Sequence, residues 1–170
     1  MTRHYRRERY LKKIRPFVDD TGIVKVVTGI RRCGKSCLME TVADELRKRG
    51  IGGERIVYLD LERRGLRSVR THDQLEAAIE SRLPEDAGEV TYLFVDEVQR
   101  VEGYEEVVNA YRADGSFSVF LAGSNSYLLS GELMTNLTGR QGLDVPARGQ
   151  RRRARHVGGD GVRPGQGVLR

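Results

Sequence analysis

The segment Gly29-Ile30-Arg31-Arg32-Cys33-Gly34-Lys35-Ser36 constrains the fold more than any other part of the chain. It follows an apolar, β-branched run at residues 23–28 and precedes apolar residues at helical spacing. A glycine-containing turn between a strand and a helix lets backbone N–H groups approach a phosphate, because a helix start carries unpaired donors and a positive end. The segment therefore predicts a phosphate-binding P-loop on an α/β scaffold.

The P-loop pattern assigns roles to its side chains. Lys35 is predicted to reach the β- and γ-phosphates of a nucleoside triphosphate, and the Ser36 hydroxyl is predicted to ligate Mg²⁺. The predicted cofactor-binding residues are Gly29, Ile30, Arg31, Arg32, Cys33, Gly34, Lys35, Ser36 and Cys37.

Two adjacent carboxylates form the second half of the predicted site. Asp96 and Glu97 directly follow the buried run at residues 90–95. Ligands of parallel sheets bind beside the carboxyl ends of the strands. Asp96 is therefore expected to hold Mg²⁺, and Glu97 to orient and polarise an attacking water as the catalytic base.

Polar residues after the next predicted strand supply a further candidate. Asn125, or Ser124, is predicted to sense the γ-phosphate and to help hold the water, which makes Asn125 a catalytic candidate beside Lys35 and Glu97. The alternative is a loop that caps the following helix. Arg140 is a candidate to offer positive charge to a nucleotide, as arginine fingers do. The alternative is a solvated side chain.

Strand and helix patterns alternate along residues 1–140. Strands are predicted at 23–28, 55–61, 90–95 and 118–122, and helices at 5–18, 35–49, 71–83, 104–111 and 126–137. This order predicts an α/β fold with a parallel sheet and helices on both faces.

Residues 141–170 have a different composition. They use nine residue types, lack periodic apolar residues, and can all be written with codons that begin with G or C. Our hypothesis is a shift of the reading frame near Arg140, and the alternative is an ordinary disordered Arg/Gly-rich tail. The predicted domain is therefore 1–140, and the predicted tail is 141–170.

Charge and cysteine content bound the remaining functions. The net charge is +6, but residues 141–170 hold seven arginines and two aspartates, so residues 1–140 carry only +1. A basic cluster from Arg3 to Arg15 either contacts nucleic acid or forms a solvated helix face. Cys33 and Cys37 are expected to be reduced thiols. No apolar run approaches the roughly 20 residues that span a bilayer, so a cytoplasmic protein without a membrane partner is expected.

Five motifs in order carry a resemblance to a known family. They are Tyr10-Leu11 through Phe17, Val24 through Ser36, Leu93-Phe94-Val95-Asp96-Glu97-Val98-Gln99, Ala122-Gly123-Ser124-Asn125-Ser126, and Leu137-Thr138-Gly139-Arg140. Together they resemble the bacterial and archaeal AAA-type ATPases that carry a C-terminal domain of unknown function. The resemblance implies an AAA+ P-loop NTPase core of three layers with sheet order 5-1-4-3-2, ATP and Mg²⁺ as ligands, and oligomers in the family.

The same resemblance exposes a departure after Arg140. Family members continue into a fifth strand beside the first, then a helical lid, and neither pattern is recognisable here. The chain is therefore expected to lack both, to be truncated or frame-shifted, and to leave the first strand as an exposed edge. Three functions stay open: an ATP-hydrolysing module, a nucleotide-binding fragment without turnover, and a basic nucleic-acid-binding protein.

Overall fold

Four helices and five strands follow one another in the computed structural model, which describes residues 8–85, 88–123 and 140–144. The helices are α1 (Glu8–Ile14), α2 (Lys35–Lys48), α3 (His72–Glu80) and α4 (Tyr104–Asp114). The strands are β1 (Val24–Thr28), β2 (Ile56–Asp60), β3 (Thr91–Asp96), β4 (Phe117–Gly123) and β5 (Arg140–Asp144). The predicted strands and helices that fall within the described residues are confirmed, with ends that coincide or shift by up to four residues.

All five strands form one parallel sheet in the order β2-β3-β4-β1-β5. The carboxyl ends of β1, β3 and β4 therefore share one edge of the sheet, although these strands are far apart in sequence. This edge holds the P-loop after β1 and the acidic pair at the end of β3.

Strands β1 to β4 are buried on both faces of the sheet, and alternate residues of each pack on opposite sides. One face packs against α3 and α4; its strand residues are Val24, Val26, Val57, Leu59, Leu93, Val95, Val119 and Leu121. The other face packs against α1 and α2; its strand residues are Val27, Ile56, Tyr92, Phe94, Phe120 and Ala122. The predicted three-layer α/β class is confirmed.

Local sequence signals place the helices. The side chain of Thr71 caps α3 by accepting a hydrogen bond from the backbone N–H of Gln74 at 3.4 Å. Gly50, with φ of 92°, follows α2 in the left-handed conformation that suits glycine after a helix. Gln74 Oε1 in turn accepts a hydrogen bond from the Arg70 backbone N–H at 2.8 Å, so Thr71 and Gln74 together hold the start of α3.

The prediction that the fifth strand is missing is wrong. Residues 140–144 pair with β1 along its full length, from Val24 beside Arg140 to Thr28 beside Asp144. Parallel pairing needs only backbone N–H and C=O groups, so this segment becomes a strand without the β-branched pattern used to recognise strands. Within the described sheet, β1 is therefore an inner strand, and the expected exposed edge beside the P-loop does not exist.

Other predictions lie outside the described residues. These are the helix at 126–137, the helical lid, the side chains of Ser124 and Asn125, residues 1–7 of the basic cluster, and the tail beyond Asp144. They stay predictions. Within 8–85, 88–123 and 140–144, none of the helices combines the length and the apolar character needed to cross a membrane.

A buried lysine joins the segment before β1 to β4. Lys25 is 3% exposed, and its Nζ donates to the Asp20 carbonyl at 2.6 Å and to Ser118 Oγ at 2.8 Å. The Ser118 hydroxyl donates in turn to the Val18 carbonyl at 2.5 Å, and the Phe120 ring centre lies 4.7 Å from Nζ. Burial lowers the pKa of Lys25 to about 8.

This shift predicts a pH dependence of stability. The pKa of Lys25 is about 8 in the folded state and near 10.4 in the unfolded state, so the folded protein binds fewer protons between these values. The free energy of unfolding is therefore expected to rise by about 1 kcal/mol from pH 7 to pH 9. Urea unfolding of Lys25→Met should lack this rise, whereas the exposed control Lys48→Met should keep it. An equal rise in Lys25→Met would contradict the assignment.

Candidate functional site

The P-loop joins β1 to α2 through a left-handed glycine. Gly34 has φ of 93° and ψ of 31° at the start of α2, where no side chain caps the helix. A hydrogen bond from the Cys33 N–H to the Ile30 carbonyl, at 3.2 Å, closes the loop. The first-turn N–H groups of a helix have no carbonyl partner within the helix, so an uncapped start offers donors to an anion.

The Lys35 ammonium lies inside this loop. Lys35 is 4% exposed, and its Nζ donates to the Gly29 carbonyl at 3.1 Å. Glu97 Oε1 lies 3.8 Å from the same Nζ. The loop after β1 and the tip of β3 therefore meet at one buried positive charge, although β4 separates the two strands in the sheet.

Ser36 and Asp96 form the second contact between the same two segments. Asp96 is 2% exposed at the end of β3, and the Ser36 hydroxyl donates a hydrogen bond to its carboxylate. The backbone N–H of Glu97 donates to Asp96 Oδ1 at 2.9 Å. A hydroxyl and a carboxylate are thus already adjacent at the end of the sheet.

The environment of Asp96 opposes its negative charge. Burial raises the pKa of Asp96 above its usual range, and the nearby carboxylates of Glu97 and Asp60 raise it further. The hydrogen bond from Ser36 opposes this shift. Asp60 ends β2 directly beside Asp96, so two neighbouring strands end in a carboxylate. A bound cation at Asp96 would relieve both causes of the raised pKa.

Glu97 adopts a backbone conformation that is rare for its residue type. Its φ of 56° and ψ of 40° lie in the left-handed region and turn the chain sharply from β3 into a 3₁₀ turn, Val98–Arg100. Such a conformation costs a residue with a side chain about 1 to 2 kcal/mol. Strained backbone of this kind is common at functional positions.

Gln99 fixes the Glu97 side chain. Its Nε2 donates to Glu97 Oε2 at 2.5 Å, while Glu97 Oε1 faces Lys35. Gln99 Oε1 is buried and, within the described residues, has no hydrogen-bond partner. In the sequence, the position of Gln99 two residues after Glu97 is the signal for this contact, and no role was predicted from it.

Glu62 connects the P-loop to two other segments. Its Oε1 lies 3.2 Å from Arg31 Nη2 and 3.5 Å from Arg100 Nη1. Neither ion pair is recognisable from the sequence, because the three residues are distant along the chain. They join the P-loop, the loop after β2 and the 3₁₀ turn after β3.

The remaining predicted residues divide by exposure. Ile30, Arg31 and Arg32 are exposed at the surface of the loop. Cys33 is buried in the apolar cluster with α2, and Cys37 is half-buried.

The side chains of two further candidates lie outside what the structure describes. Asn125 lies outside the described residues. The Arg140 backbone pairs with Val24, at the end of β1 opposite the P-loop, so β1 separates it from the site by about 13 Å at the usual rise per residue.

The donor set fits a nucleotide with a magnesium ion. Mg²⁺ in phosphate sites takes one or two protein oxygens and completes its shell with phosphate and water. Ser36 and Asp96 supply such oxygens, and Lys35 with the uncapped start of α2 supplies positive charge for phosphates. No cluster of three or more His, Cys, Asp or Glu side chains that would hold a metal alone occurs in the described parts of the chain.

Comparison with known proteins places most of the chain in one family. The family model described as AAA domain matches residues 22–145. The match begins just before β1 and ends just after β5, so it includes the P-loop, the acidic pair and the fifth strand.

Several individual proteins are also similar. An uncharacterised protein of Haemophilus influenzae is 40% identical over 134 residues, which cover 79% of this chain and 33% of the relative. An uncharacterised protein of Methanocaldococcus jannaschii is 30% identical over 117 residues, covering 69% of this chain and 24% of the relative. The structure of Rhizobiales Trip13 overlaps with a TM-score of 0.41 and 16% identity over 81% of this chain and 53% of that one. The chain thus spans a third or less of the length of the Haemophilus influenzae and Methanocaldococcus jannaschii relatives.

The left-handed conformation at Glu97 predicts an unusual order of stability between two variants. Both Glu97→Ala and Glu97→Gly remove the carboxylate, but only glycine adopts φ of 56° without strain. Glu97→Gly is therefore expected to be more stable than Glu97→Ala by about 1 kcal/mol in chemical denaturation. The control pair Glu76→Ala and Glu76→Gly, inside α3, should show the reverse order because glycine weakens a helix. Equal ranking at both positions would contradict the backbone assignment.

Proposed function

The chain belongs to the AAA domain family, and on that premise we propose that it binds ATP with Mg²⁺ at the P-loop and hydrolyses it. Membership of this family indicates a nucleotide-binding ATPase domain. The finer assignment, which gives each residue a role, rests on the geometry of the site.

The meeting of Lys35 with Glu97 is the observation that carries the proposal. The Lys35 ammonium is buried among backbone carbonyls of a tight loop, 3.8 Å from a carboxylate. Burying these charges costs desolvation free energy, which a bound anion would offset. Phosphate oxygens would give Lys35 a stronger partner than the Gly29 carbonyl, because hydrogen bonds between ions are about twice as strong as those between neutral groups. Lys35 is therefore assigned to the phosphates.

Ser36 and Asp96 are assigned to the metal. The hydroxyl and the buried carboxylate already touch, so little rearrangement is needed to present two oxygens to one ion. Magnesium bound there would neutralise negative charge on the phosphates during transfer. The backbone of the P-loop, from Gly29 to Cys37, lines the phosphates in this proposal.

Glu97 is assigned as the base for the attacking water. The water oxygen forms a bond to the γ-phosphorus, the bond from that phosphorus to the bridging oxygen breaks, and the products are ADP and phosphate. The proton lost by the water passes to the Glu97 carboxylate. The strained backbone of Glu97 and its hydrogen bond from Gln99 fix the carboxylate in place before the substrate arrives. Asn125 is proposed as a further contact to the γ-phosphate and the water.

Two substitutions test this division of roles. Lys35→Ala is expected to abolish magnesium-dependent phosphate release because it removes the charge that holds the phosphates. Glu97→Gln keeps the shape of the side chain but cannot accept the proton, so the rate is expected to fall about 10²- to 10⁴-fold while ATP still binds. Equal rates of phosphate release in wild type and both variants would exclude hydrolysis at this site. ATP binding without release in the wild type would favour a nucleotide-binding fragment.

Gln99 is proposed as a positioning residue for Glu97. Gln99→Glu has nearly the same shape but replaces the donor to Glu97 with a second carboxylate, which repels it. The kcat for ATP is expected to fall about 10- to 100-fold, with KM changed less than about twofold, because only the orientation of Glu97 is disturbed. Gln74→Glu, at the start of α3, is the matched control and should leave both constants unchanged. A rise in KM with normal kcat would contradict the positioning role.

A further inference from the structure

The loop between β2 and α3 is a fixed scaffold for exposed arginines. The backbone N–H groups of Arg63, Leu66 and Val69 each donate a hydrogen bond to the carbonyl three residues earlier, at 3.0, 2.9 and 3.1 Å. These bonds fold the loop into successive turns. Leu66 and Val69 are buried in the cluster that contains α3 and α4. Because these two residues anchor the loop, the arginines between and beside them are held toward solvent.

Four exposed arginines lie on this loop and on the P-loop, and we call them the basic rim: Arg31, Arg63, Arg64 and Arg67. The side chains of Arg31 and Arg63 are 79% and 73% exposed, and Arg64 and Arg67 are also exposed. Glu62 joins the two loops, since its carboxylate contacts Arg31 at 3.2 Å and its carbonyl accepts from Arg67 Nε at 2.8 Å.

The acidic residues of this region do not balance the rim. Residues 60–70 contain three rim arginines and Arg70, but only Asp60 and Glu62 as acids. Asp60 lies 3.4 Å from Arg63, and Glu62 is shared between Arg31 and Arg100. Arg64 has no ion pair or hydrogen bond to any described residue. Among the residues that the structure describes, the rim therefore keeps an excess of positive charge that a polyanionic partner would neutralise.

We propose that the basic rim binds the phosphodiester backbone of double-stranded nucleic acid without reading its sequence. The planar guanidinium group matches phosphate geometry, and backbone contacts carry most sequence-independent affinity. A single-strand site would need exposed aromatic rings for base stacking. In the described part of the chain, Ile30 is the exposed large hydrophobic residue, so neither a stacking platform nor the apolar centre of a protein interface is present there.

The test measures binding of the full-length chain to a fluorescent 20-base-pair DNA duplex across a salt series, without ATP. The variant is Arg64→Gln/Arg67→Gln, which removes two rim charges outside the proposed ATP site. At 0.1 M salt its affinity is expected to fall about tenfold per arginine, and its slope of log affinity against log salt by about 0.9 per arginine. Circular dichroism melting checks that the variant is folded.

Two control pairs remove the same charge elsewhere. Lys12→Gln/Lys13→Gln acts on exposed residues of α1, and Arg152→Gln/Arg153→Gln acts on the basic tail. Each control is expected to reduce affinity less than about fivefold. Equal losses in all three pairs, or no binding by the wild type, would overturn the proposal.

Two competitors separate the rim's partner from other anions. Poly-glutamate and unlabelled duplex are compared as competitors at equal concentrations of charge. If poly-glutamate displaces the labelled duplex equally well, the proposal is overturned in favour of an acidic protein partner. ATP affinity is expected to be unchanged in Arg64→Gln/Arg67→Gln. A loss of ATP affinity as large as the loss of duplex affinity would assign these arginines to the free nucleotide instead. None of these outcomes depends on whether the chain hydrolyses ATP.

Discussion

The buried ammonium of Lys35 is the charge around which this end of the sheet is organised. Lys35 is 4% exposed, its Nζ donates a hydrogen bond to the carbonyl of Gly29, and the carboxylate of Glu97 lies 3.8 Å away. A charge in this position needs hydrogen-bond acceptors or an opposite charge around it, because the apolar residues of the sheet provide neither. The P-loop supplies dipoles, and β3 supplies the carboxylate. The fold thus brings one cation and one anion together from strands that are not neighbours.

The parallel sheet makes this meeting possible. Strands β1 to β4 are buried on both faces, so the carboxylates of the candidate site collect where the strands end. Asp60, Asp96 and Glu97 all lie at such ends, and repulsion among them is part of what raises the pKa of Asp96. The proposed magnesium ion and phosphates would complete a charge balance that the protein groups leave unfinished.

The sequence was sufficient for the parts of the fold that depend on side-chain pattern. The β-branched run of β1 and the apolar stripe of α2 were both recognisable, and Lys35, Ser36, Asp96 and Glu97 do come together. Strand β5 was missed because it forms through backbone pairing, to which its side chains give no clue. The roles of Gln99 and Glu62 were missed because they depend on distances between segments, which a linear pattern does not contain.

The account depends on triphosphate and metal binding together at Lys35, Ser36 and Asp96. Isothermal titration calorimetry with ATP, in the presence of Mg²⁺ and in the presence of a chelator, measures this directly. We expect wild type to bind ATP with Mg²⁺, to bind it more weakly with the chelator, and to lose this difference in Asp96→Asn. The absence of ATP binding by folded wild-type protein, or identical affinity with and without Mg²⁺, would contradict the account.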